Sequence, residues 1–236
     1  FYQRGLAEPV PVSAYHGLGI DQLLEKLIPL LPATLAEPET PGLMRTAIVG
    51  RPNVGKSMLL NVILGQERVI VDEAPGTTRD AIDTRFDYEG QPVLLIDTAG
   101  IRRRGRVESG IERYSVLRAL RAIDRADVAL LVIDVSEGMT AQDLHIAGFV
   151  RQAFKGIVLV ANKWDLIDGV SQPELSRDFS HKLRFMPHTP MLFTSALTGQ
   201  GVGRMVPTAL QVYRERLKPI PTPQLSSVIE DAIGSH

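Results

Sequence analysis

The segment GRPNVGKS at residues 50–57 sets the architecture of this chain. It fits the pattern G-x-x-x-x-G-K-[ST] and stands between an apolar run at 43–49, which predicts a buried strand, and a run at 58–64, which predicts a helix. A strand, a glycine-rich loop and a helix in this order form a phosphate cradle, because loop N–H groups and the positive helix end face the anion. Lys56 is predicted to reach the β- and γ-phosphates, and the Ser57 hydroxyl to hold Mg²⁺. The sequence therefore predicts a site for a nucleoside triphosphate.

The composition is that of a globular protein with little net charge. The 236 residues suffice for one domain plus additions, and 44% hydrophobic residues exclude a disordered chain. A net charge of −1 means that any binding of nucleic acid has to come from a local patch. The chain has no cysteine, so it has no disulfide framework and no thiolate metal site, which suits a cytoplasmic location. No apolar run approaches the ~18 residues of a membrane span, so no membrane contact is predicted.

Apolar runs alternate with amphipathic segments from residue 43 onward. The runs lie at 93–96, 128–133, 157–161 and 191–194, and the amphipathic segments at 111–127, 141–152, 173–185 and 202–217. Continuous apolar runs are typical of strands that are covered on both faces of a parallel sheet. Residues 83–89 alternate instead and precede Gly90, which predicts a hairpin and one antiparallel edge strand. The predicted fold is α/β, with a doubly wound, mostly parallel sheet that carries its ligand at the carboxyl ends of the strands.

Three polar motifs follow predicted strands: DTAG at 97–100, NKWD at 162–165 and SAL at 195–197. In NKWD, Asp165 is predicted to be a buried carboxylate that accepts two hydrogen bonds from guanine, whereas adenine offers no donor there. An unpaired buried carboxylate costs several kcal/mol, so this contact selects GTP or GDP. Asn162 is predicted to tie the loop together, the Lys163 stem to lie along the base plane, and the Ala196 N–H to serve the guanine carbonyl.

Two further segments are predicted to respond to the γ-phosphate. Asp97 stands where a carboxylate of a Mg²⁺ site belongs, and the Gly100 N–H is placed to meet the γ-phosphate. The turn-rich segment 73–80 contains Thr77 and Thr78, of which Thr78 is the preferred Mg²⁺ ligand while the γ-phosphate is present. The alternatives are that Thr77 is the ligand, or that both threonines belong to a solvated turn.

The two ends of the chain indicate that further domains flank this one. Residues 13–20 repeat the pattern of residues 195–202, with Ser, Ala and both glycines at the same spacing, although a chance Ser-Ala turn is the alternative. Each copy follows an apolar strand that contains Pro and precedes a helix. The predicted division is 1–31 as the end of another such domain, 32–42 as a linker, 43–218 as the nucleotide-binding domain and 219–236 as the start of a third domain.

The motifs GRPNVGKS, PGTTRD, NKWD and DTAGIRRRGRVESGIERYSVLRALRAIDRADV resemble the second GTPase domain of the bacterial double-GTPase family Der, also called EngA. The resemblance covers essentially residues 43–219. It implies a P-loop GTPase fold, GTP hydrolysis with Mg²⁺, and a role in assembly of the large ribosomal subunit, with that subunit and its rRNA as partners. It also implies that residues 1–31 end a first GTPase domain and that residues 219–236 begin a C-terminal KH-like domain, both of which are partners within the full-length protein.

Residue by residue, the motifs give one set of predicted site residues. The predicted catalytic residues are Lys56, Thr78, Gly100 and Asn53, and the predicted metal ligands are Ser57, Thr78 and Asp97. The predicted nucleotide contacts are Gly50, Arg51, Pro52, Asn53, Val54, Gly55, Lys56, Ser57, Met58, Asp97, Thr98, Ala99, Gly100, Ile101, Asn162, Lys163, Trp164, Asp165, Ser195, Ala196 and Leu197. Met58 stands where the family usually has Thr or Ser. Its side chain is not expected to touch Mg²⁺, so little effect is expected beyond the surroundings of the α-phosphate.

Hydrolysis is predicted to depend on a monovalent cation. Ile101 stands where Ras-like enzymes have a glutamine that orients water, and an apolar side chain cannot do so. Relatives of this type carry an asparagine in the phosphate loop, here Asn53, that can hold K⁺ beside the phosphates and mimic an arginine finger. The alternative is that Asn53 is only a turn residue.

Arginine is concentrated after Gly100. Eight arginines between residues 102 and 125 face three carboxylates, an excess of five positive charges. One interpretation is a nucleotide-controlled contact with rRNA or with the KH-like domain. The other is a solvated helix face with internal ion pairs, which explains Arg118, Arg121 and Arg125 but not three consecutive arginines in a loop.

Two other functions remain open from the sequence. One is a GTPase of tRNA modification or membrane transport built on the same domain, against which the repeated Ser-Ala turn argues. The other is a scaffold that senses GTP without hydrolysing it, against which the intact Lys56, Ser57 and Asp97 argue.

Overall fold

A computed structural model describes residues 10–13, 15–16, 18–30, 42–67, 69–71, 83–103 and 112–234. The chain divides into two units, Phe1–Pro41 and Gly42–His236. Thr77 and Thr78 lie outside the described residues, as do Arg104 and Arg106, so the predictions made for them stay predictions.

The larger unit is built on one seven-stranded sheet. Its strands are β1 Met44–Val49, β2 Val69–Val71, β3 Thr84–Tyr88, β4 Gln91–Ile96, β5 Val128–Asp134, β6 Gly156–Asn162 and β7 Met191–Phe193, in the spatial order β2-β3-β4-β1-β5-β6-β7. The strands from β4 to β7 pair in parallel, and β3 pairs antiparallel with both β4 and β2. The predicted mostly parallel sheet with an antiparallel strand before Val93 is therefore confirmed, and the three-residue β2 extends it by one unpredicted strand.

The helices occupy the predicted segments with small shifts at their ends. They are α1 Ile20–Leu27, α2 Lys56–Leu64, α3 Thr98–Arg103, α4 Glu112–Arg125, α5 Ala141–Gln152, α6 Gln172–Lys182, α7 Met205–Arg216 and α8 Thr222–Gly234. The prediction was wrong for α3: Arg102 and Arg103 lie in a helix and not in a loop. Among the described residues, no helix is long and apolar enough to cross a bilayer.

The continuous apolar strands are buried on both faces of the sheet. All seven residues of β5 are buried, and their side chains alternate between two cores. Leu130 and Val132 pack with residues of α2 and α7 on one face, whereas Leu131 and Ile133 pack with residues of α4, α5 and α6 on the other. Burial on both sides removes the need for polar residues in alternate positions, which is why these strands lack a period of two. The sheet thus holds the ends of β1, β5 and β6 rigidly.

The repeated sequence pattern is also a repeat of backbone hydrogen bonding. In the smaller unit, the Ser13 N–H donates to the Leu18 carbonyl over 2.9 Å. In the larger unit, the Ser195 N–H donates to the Gln200 carbonyl over 3.0 Å. The two pairs occupy the same positions of the repeat, so both copies close the same turn.

The glycine that ends each turn is under the same constraint. Gly19 and Gly201 both have positive φ angles, of 76° and 72°. A Cβ atom on Gly19 would lie 2.2 Å from the Pro11 carbonyl oxygen, and one on Gly201 would lie 2.2 Å from that of Phe193. Only glycine fits at such a close backbone approach. This likeness supports the prediction that residues 1–31 come from a second domain of the same kind.

Candidate nucleotide-binding site

The phosphate loop is packed tightly against the ends of β5 and β6. Gly50 has a φ of 143° and Gly55 a φ of 98°. A Cβ atom on Gly50 would lie 2.2 Å from the Val132 carbonyl oxygen, and one on Gly55 would lie 2.3 Å from Nδ2 of Asn162. Both glycines of the motif are therefore required by the neighbouring strand ends as well as by the loop conformation.

The ammonium group of Lys56 lies inside the phosphate loop. Its Nζ donates to the Gly50 carbonyl oxygen over 2.8 Å and also to the carbonyl oxygen of Arg51. Its predicted reach to the β- and γ-phosphates stays a prediction. An ammonium has three donors, so Lys56 can exchange a loop carbonyl for a phosphate oxygen without moving its stem far. Pro52 and Asn53 are exposed at the tip of the loop, where Asn53 has a φ of 64°.

The first turn of α2 touches the turn that follows β4. The Ser57 hydroxyl donates to the Ile101 carbonyl oxygen over 2.7 Å. Asp97 has a φ of 57°, and its carboxylate lies 3.3 Å from Nε of Arg118. A hydroxyl and a carboxylate are hard oxygen ligands of the kind that Mg²⁺ prefers, so these residues fit the predicted metal. Met58, which follows Ser57 on α2, is half-exposed.

Helix α3 carries four of the predicted nucleotide contacts: Thr98, Ala99, Gly100 and Ile101. Thr98 is buried, and its hydroxyl bonds to that of Thr84 over 2.8 Å. Gly100 is the third residue of the helix. The first four N–H groups of a helix have no acceptor within it, so the Gly100 N–H is compatible with a bond to phosphate. The buried Ile101 side chain belongs to the core on the α2 face.

Asn162 joins the phosphate loop to the segments that follow β6 and β7, which is more than the predicted tie within its own loop. Its Nδ2 donates to the Val54 carbonyl oxygen over 2.8 Å. Its Oδ1 accepts from the Thr194 hydroxyl over 3.2 Å and from the Ala196 N–H over 3.1 Å. The last bond differs from the prediction for Ala196, because the N–H that was expected to serve guanine donates here to Asn162. One buried amide thus fixes three segments that are distant in sequence.

Lys163 pairs with a carboxylate that the sequence motifs did not identify. Its Nζ lies 2.5 Å from Oδ2 of Asp134, the last residue of β5. Burial alone would raise the pKa of the Asp134 carboxyl, but hydrogen bonds from Lys163 and from Ser136 outweigh burial and lower that pKa. Asp134 is therefore ionised and holds the end of the lysine. The predicted course of the Lys163 stem along the base stays a prediction.

Asp165 is exposed, and the prediction that its carboxylate is buried against a bound base stays a prediction. It lies in the single 3₁₀ turn Trp164–Leu166 that follows β6, and such a short turn at the rim of the sheet cannot cover its own side chain. Its carboxylate makes no hydrogen bond or ion pair with any other residue that the structure describes, so its acceptor sites are available. Trp164 anchors the turn. Its backbone N–H donates to the Thr194 carbonyl oxygen over 3.0 Å, and its ring packs edge-on against that of Phe193, with the ring centroids 4.9 Å apart.

The SAL segment combines one buried side chain and one exposed side chain. Ser195 is buried, and its hydroxyl accepts the Thr198 N–H over 3.1 Å. Leu197 is exposed beside it. The backbone of this segment lies beside residues 162–165, which we call the base loop, because the Ala196 N–H donates to Asn162. The contacts of its side chains with a nucleotide stay predictions.

Arg51 makes the second ionic contact that the motifs did not identify. Its Nε lies 3.0 Å and 3.1 Å from the two carboxylate oxygens of Asp143, and its Nη1 lies 2.8 Å from Glu137. Burial would lower the pKa of Arg51, but these two carboxylates outweigh burial and raise it. The available sequence signal was Thr140-x-x-Asp143, which caps the start of α5.

The arginines of α4 pair with aspartates on other elements. Arg118 pairs with Asp97, and Arg125 lies 2.5 Å from Asp83. Arg121 is exposed. The solvated-face interpretation is therefore right that two of these arginines form ion pairs, although their partners lie at the ends of β3 and β4 and not within the helix.

The family model for the 50S ribosome-binding GTPases matches residues 45–163, which contain the phosphate loop, the DTAG turn and Asn162. The chain belongs to this GTPase family. Its site thus combines the motifs of the family with the contacts described above.

Curated relatives named GTPase Der match nearly the whole length of this chain. The protein from Chloroflexus aggregans is 51% identical over 99% of the chain and 52% of its own length. The protein from Thermomicrobium roseum is 52% identical over 100% of the chain and 52% of its own length. The chain therefore spans about half the length of the curated relatives it matches.

A solved structure of Era in complex with MgGDPNP and 16S ribosomal RNA is similar in fold. It has a TM-score of 0.54 and 28% identity, over 72% of this chain and 57% of that chain. A solved structure of an Era variant from Aquifex aeolicus, bound to GDP.AlF4⁻, matches with the same TM-score of 0.54. Both comparisons agree with a P-loop GTPase fold.

Proposed function

We propose that this chain binds GTP and GDP and hydrolyses GTP with Mg²⁺. The observation that carries the proposal is the Asn162 side chain, which joins the phosphate loop at Val54 to the segment after β7 at Thr194 and Ala196. The three hydrogen bonds of this one side chain fix the distance between a site for phosphates and a site for a base. The relatives named GTPase Der and the family match support the same activity.

Each loop has a distinct part in the proposed reaction. Lys56 binds the β- and γ-phosphate oxygens. The exposed Asp165 selects guanine by accepting hydrogen bonds from the N1–H and the exocyclic amine of the base. Ser57 and Asp97 would hold Mg²⁺, and Thr78 is the proposed third ligand from this chain. When bound, the metal neutralises charge on the phosphate oxygens. The first-turn N–H of Gly100 is positioned to donate to the γ-phosphate.

We infer that K⁺ takes the place of a water-orienting side chain. Ile101 is 8% exposed and packs in the core, so its side chain offers nothing to the attacking water. Asn53 is exposed, and its side chain has no partner among the described residues, so its amide oxygen is available to a cation. A cation at this position would act like the charge of an arginine finger.

Single-turnover hydrolysis in matched KCl and NaCl tests both proposals. GTP should be cleaved at least about tenfold faster in KCl, because positive charge near the γ-phosphate lowers the activation barrier. ATP should not be turned over, because adenine offers no donor to Asp165. Asn53→Gly removes the amide but tolerates the positive φ, so it should bring the KCl/NaCl ratio close to one. No cleavage of GTP in either salt would refute the hydrolytic function. Equal rates in the two salts would refute only the role of K⁺.

The whole protein is proposed to act in the cytoplasm in assembly of the large ribosomal subunit. The description of the matching family, 50S ribosome-binding GTPase, supports the large subunit as the partner. The first GTPase domain and the KH-like domain are proposed partners within that protein. On this chain, the exposed Arg121 on α4 is the proposed contact with a phosphate backbone.

Co-sedimentation with purified large subunits tests this partner. The chain should bind at least about threefold more in the presence of GDPNP than of GDP, because the γ-phosphate is proposed to control the contact. Arg121→Gln should weaken binding, whereas Arg177→Gln, which removes an exposed arginine from α6, should not. Equal binding in both nucleotides would contradict a nucleotide-controlled contact.

A further inference from the structure

The segment from the end of β5 to the first turn of α5 places three carboxylates against both nucleotide-binding loops. We call Asp134, Glu137 and Asp143 the acidic brace. Asp134 contacts Lys163 of the base loop, while Glu137 and Asp143 both contact Arg51 of the phosphate loop. The pairs with Arg51 join residues 86 and 92 positions apart in sequence. One short segment therefore touches the two halves of the site.

Two members of the acidic brace are held in place before they meet a cation. The Asp134 side chain is 3% exposed, and its Oδ1 accepts from the Ser136 N–H over 3.0 Å and from the Ser136 hydroxyl over 2.6 Å. The Asp143 side chain is fully buried, and its Oδ2 accepts from the N–H and hydroxyl of Thr140 over 3.0 Å and 2.8 Å. Because buried carboxylates are costly unless they are paired, each one strongly favours a cation at a defined point.

The loops that the brace contacts need external support. Lys163 has a φ of 65°, and Asn53, two residues after Arg51, has a φ of 64°. Left-handed backbone at residues other than glycine persists only where the surroundings enforce it. In the base loop, the ion pair between Lys163 and Asp134 stabilises this backbone conformation. On the phosphate side, the Arg51 Nε–H is shared between both Asp143 carboxylate oxygens while Nη1 contacts Glu137, so two carboxylates hold the guanidinium in place.

We propose that the acidic brace is a set of positioning residues that divides control of the two halves of the nucleotide. Asp134 orients the base loop through Lys163 and so governs selection of the base. Glu137 and Asp143 orient the phosphate loop through Arg51 and so govern phosphate affinity. The proposal rests on the proposed binding of guanine nucleotides.

The test compares GDP with IDP, which lacks the exocyclic amine of guanine. The ratio of their dissociation constants reports the geometry of the base loop, whereas a uniform loss of stability lowers both affinities alike. Asp134→Asn should weaken GDP binding about tenfold and reduce the GDP/IDP preference at least about threefold. Glu137→Gln should weaken both nucleotides about threefold and leave the preference unchanged.

Two further variants keep the result clear. Ser136→Ala removes the hydroxyl that donates to Asp134 and keeps the backbone N–H that also does, so it should reduce the preference even if Asp134→Asn does not fold. Asp178→Asn removes an ion pair with Lys182 on α6, away from the site, and should change neither affinity.

The outcomes separate this inference from the proposed function. If the unmodified chain fails to bind GDP, the proposed function is wrong and the inference is wrong with it. If it binds GDP while both Asp134→Asn and Ser136→Ala keep the full GDP/IDP preference, the inference alone is overturned. A changed preference in Glu137→Gln, or an equal loss in Asp178→Asn, would also overturn the division of control.

Discussion

Replacing Lys56 by alanine is expected to abolish tight binding of GTP. The side chain is the principal cation of the phosphate loop, and charge-assisted hydrogen bonds to two phosphates contribute about 3 kcal/mol or more, which is at least roughly a hundred-fold in affinity. The variant also leaves the Gly50 and Arg51 carbonyl oxygens without their donor. Loop geometry and charge are therefore lost together.

Titration calorimetry with GTP and GDP measures the effect. Lys182→Ala is the matched control, because it removes a lysine that pairs with Asp178 on α6, outside the site. Thermal unfolding of both variants shows whether the fold survives. Normal GTP binding by a folded Lys56→Ala variant would mean that residues 50–57 do not form a phosphate site.

The phosphate loop was predictable because its requirements are local. The glycines of GRPNVGKS have positive φ angles, and the buried strand and helix on either side are visible as apolar patterns. The position of Asn162 at the carboxyl end of β6 was also predictable, because parallel strands bring these ends to one edge of the sheet. Its bonds to Val54, Thr194 and Ala196 join segments that are distant in sequence, and the motif alone did not indicate them.

The acidic brace was not predictable in the same way. Glu137 and Asp143 fall in a polar stretch that reads as a loop and a helix cap, and nothing local indicates that they meet Arg51. Their pairing depends on β1 and β5 being neighbours, so that the segments after both strands converge. Long-range contacts of this kind follow from the topology and not from spacing.

Helix α3 shows a different reason for a wrong prediction. The segment TAGIRR contains two β-branched residues and a glycine, all of which disfavour helix, so a loop was expected. The buried Thr98 and Ile101 anchor this turn against β3 and the core, and that packing outweighs the weak propensity.

Replacing Asp165 by asparagine is expected to convert the site from guanine to xanthine. The carboxylate accepts two hydrogen bonds from guanine, whereas asparagine offers one acceptor and one donor, which matches the added carbonyl of xanthine. With guanine, the asparagine amide would meet the exocyclic amine donor to donor, which leaves both groups without an acceptor. We therefore expect GDP affinity to fall about a hundred-fold to a thousand-fold, with XDP becoming the tighter ligand.

Competition between GDP, XDP and ADP for a fluorescent nucleotide measures the change. Asp168→Asn is the control, since it removes another exposed carboxylate three positions further along the same loop. That variant should keep the preference for GDP, because the 3₁₀ turn ends at Leu166. ADP should remain a poor ligand for all three proteins. If ADP binds the unmodified chain within tenfold of GDP, Asp165 does not select the base, because adenine has no donors for its carboxylate.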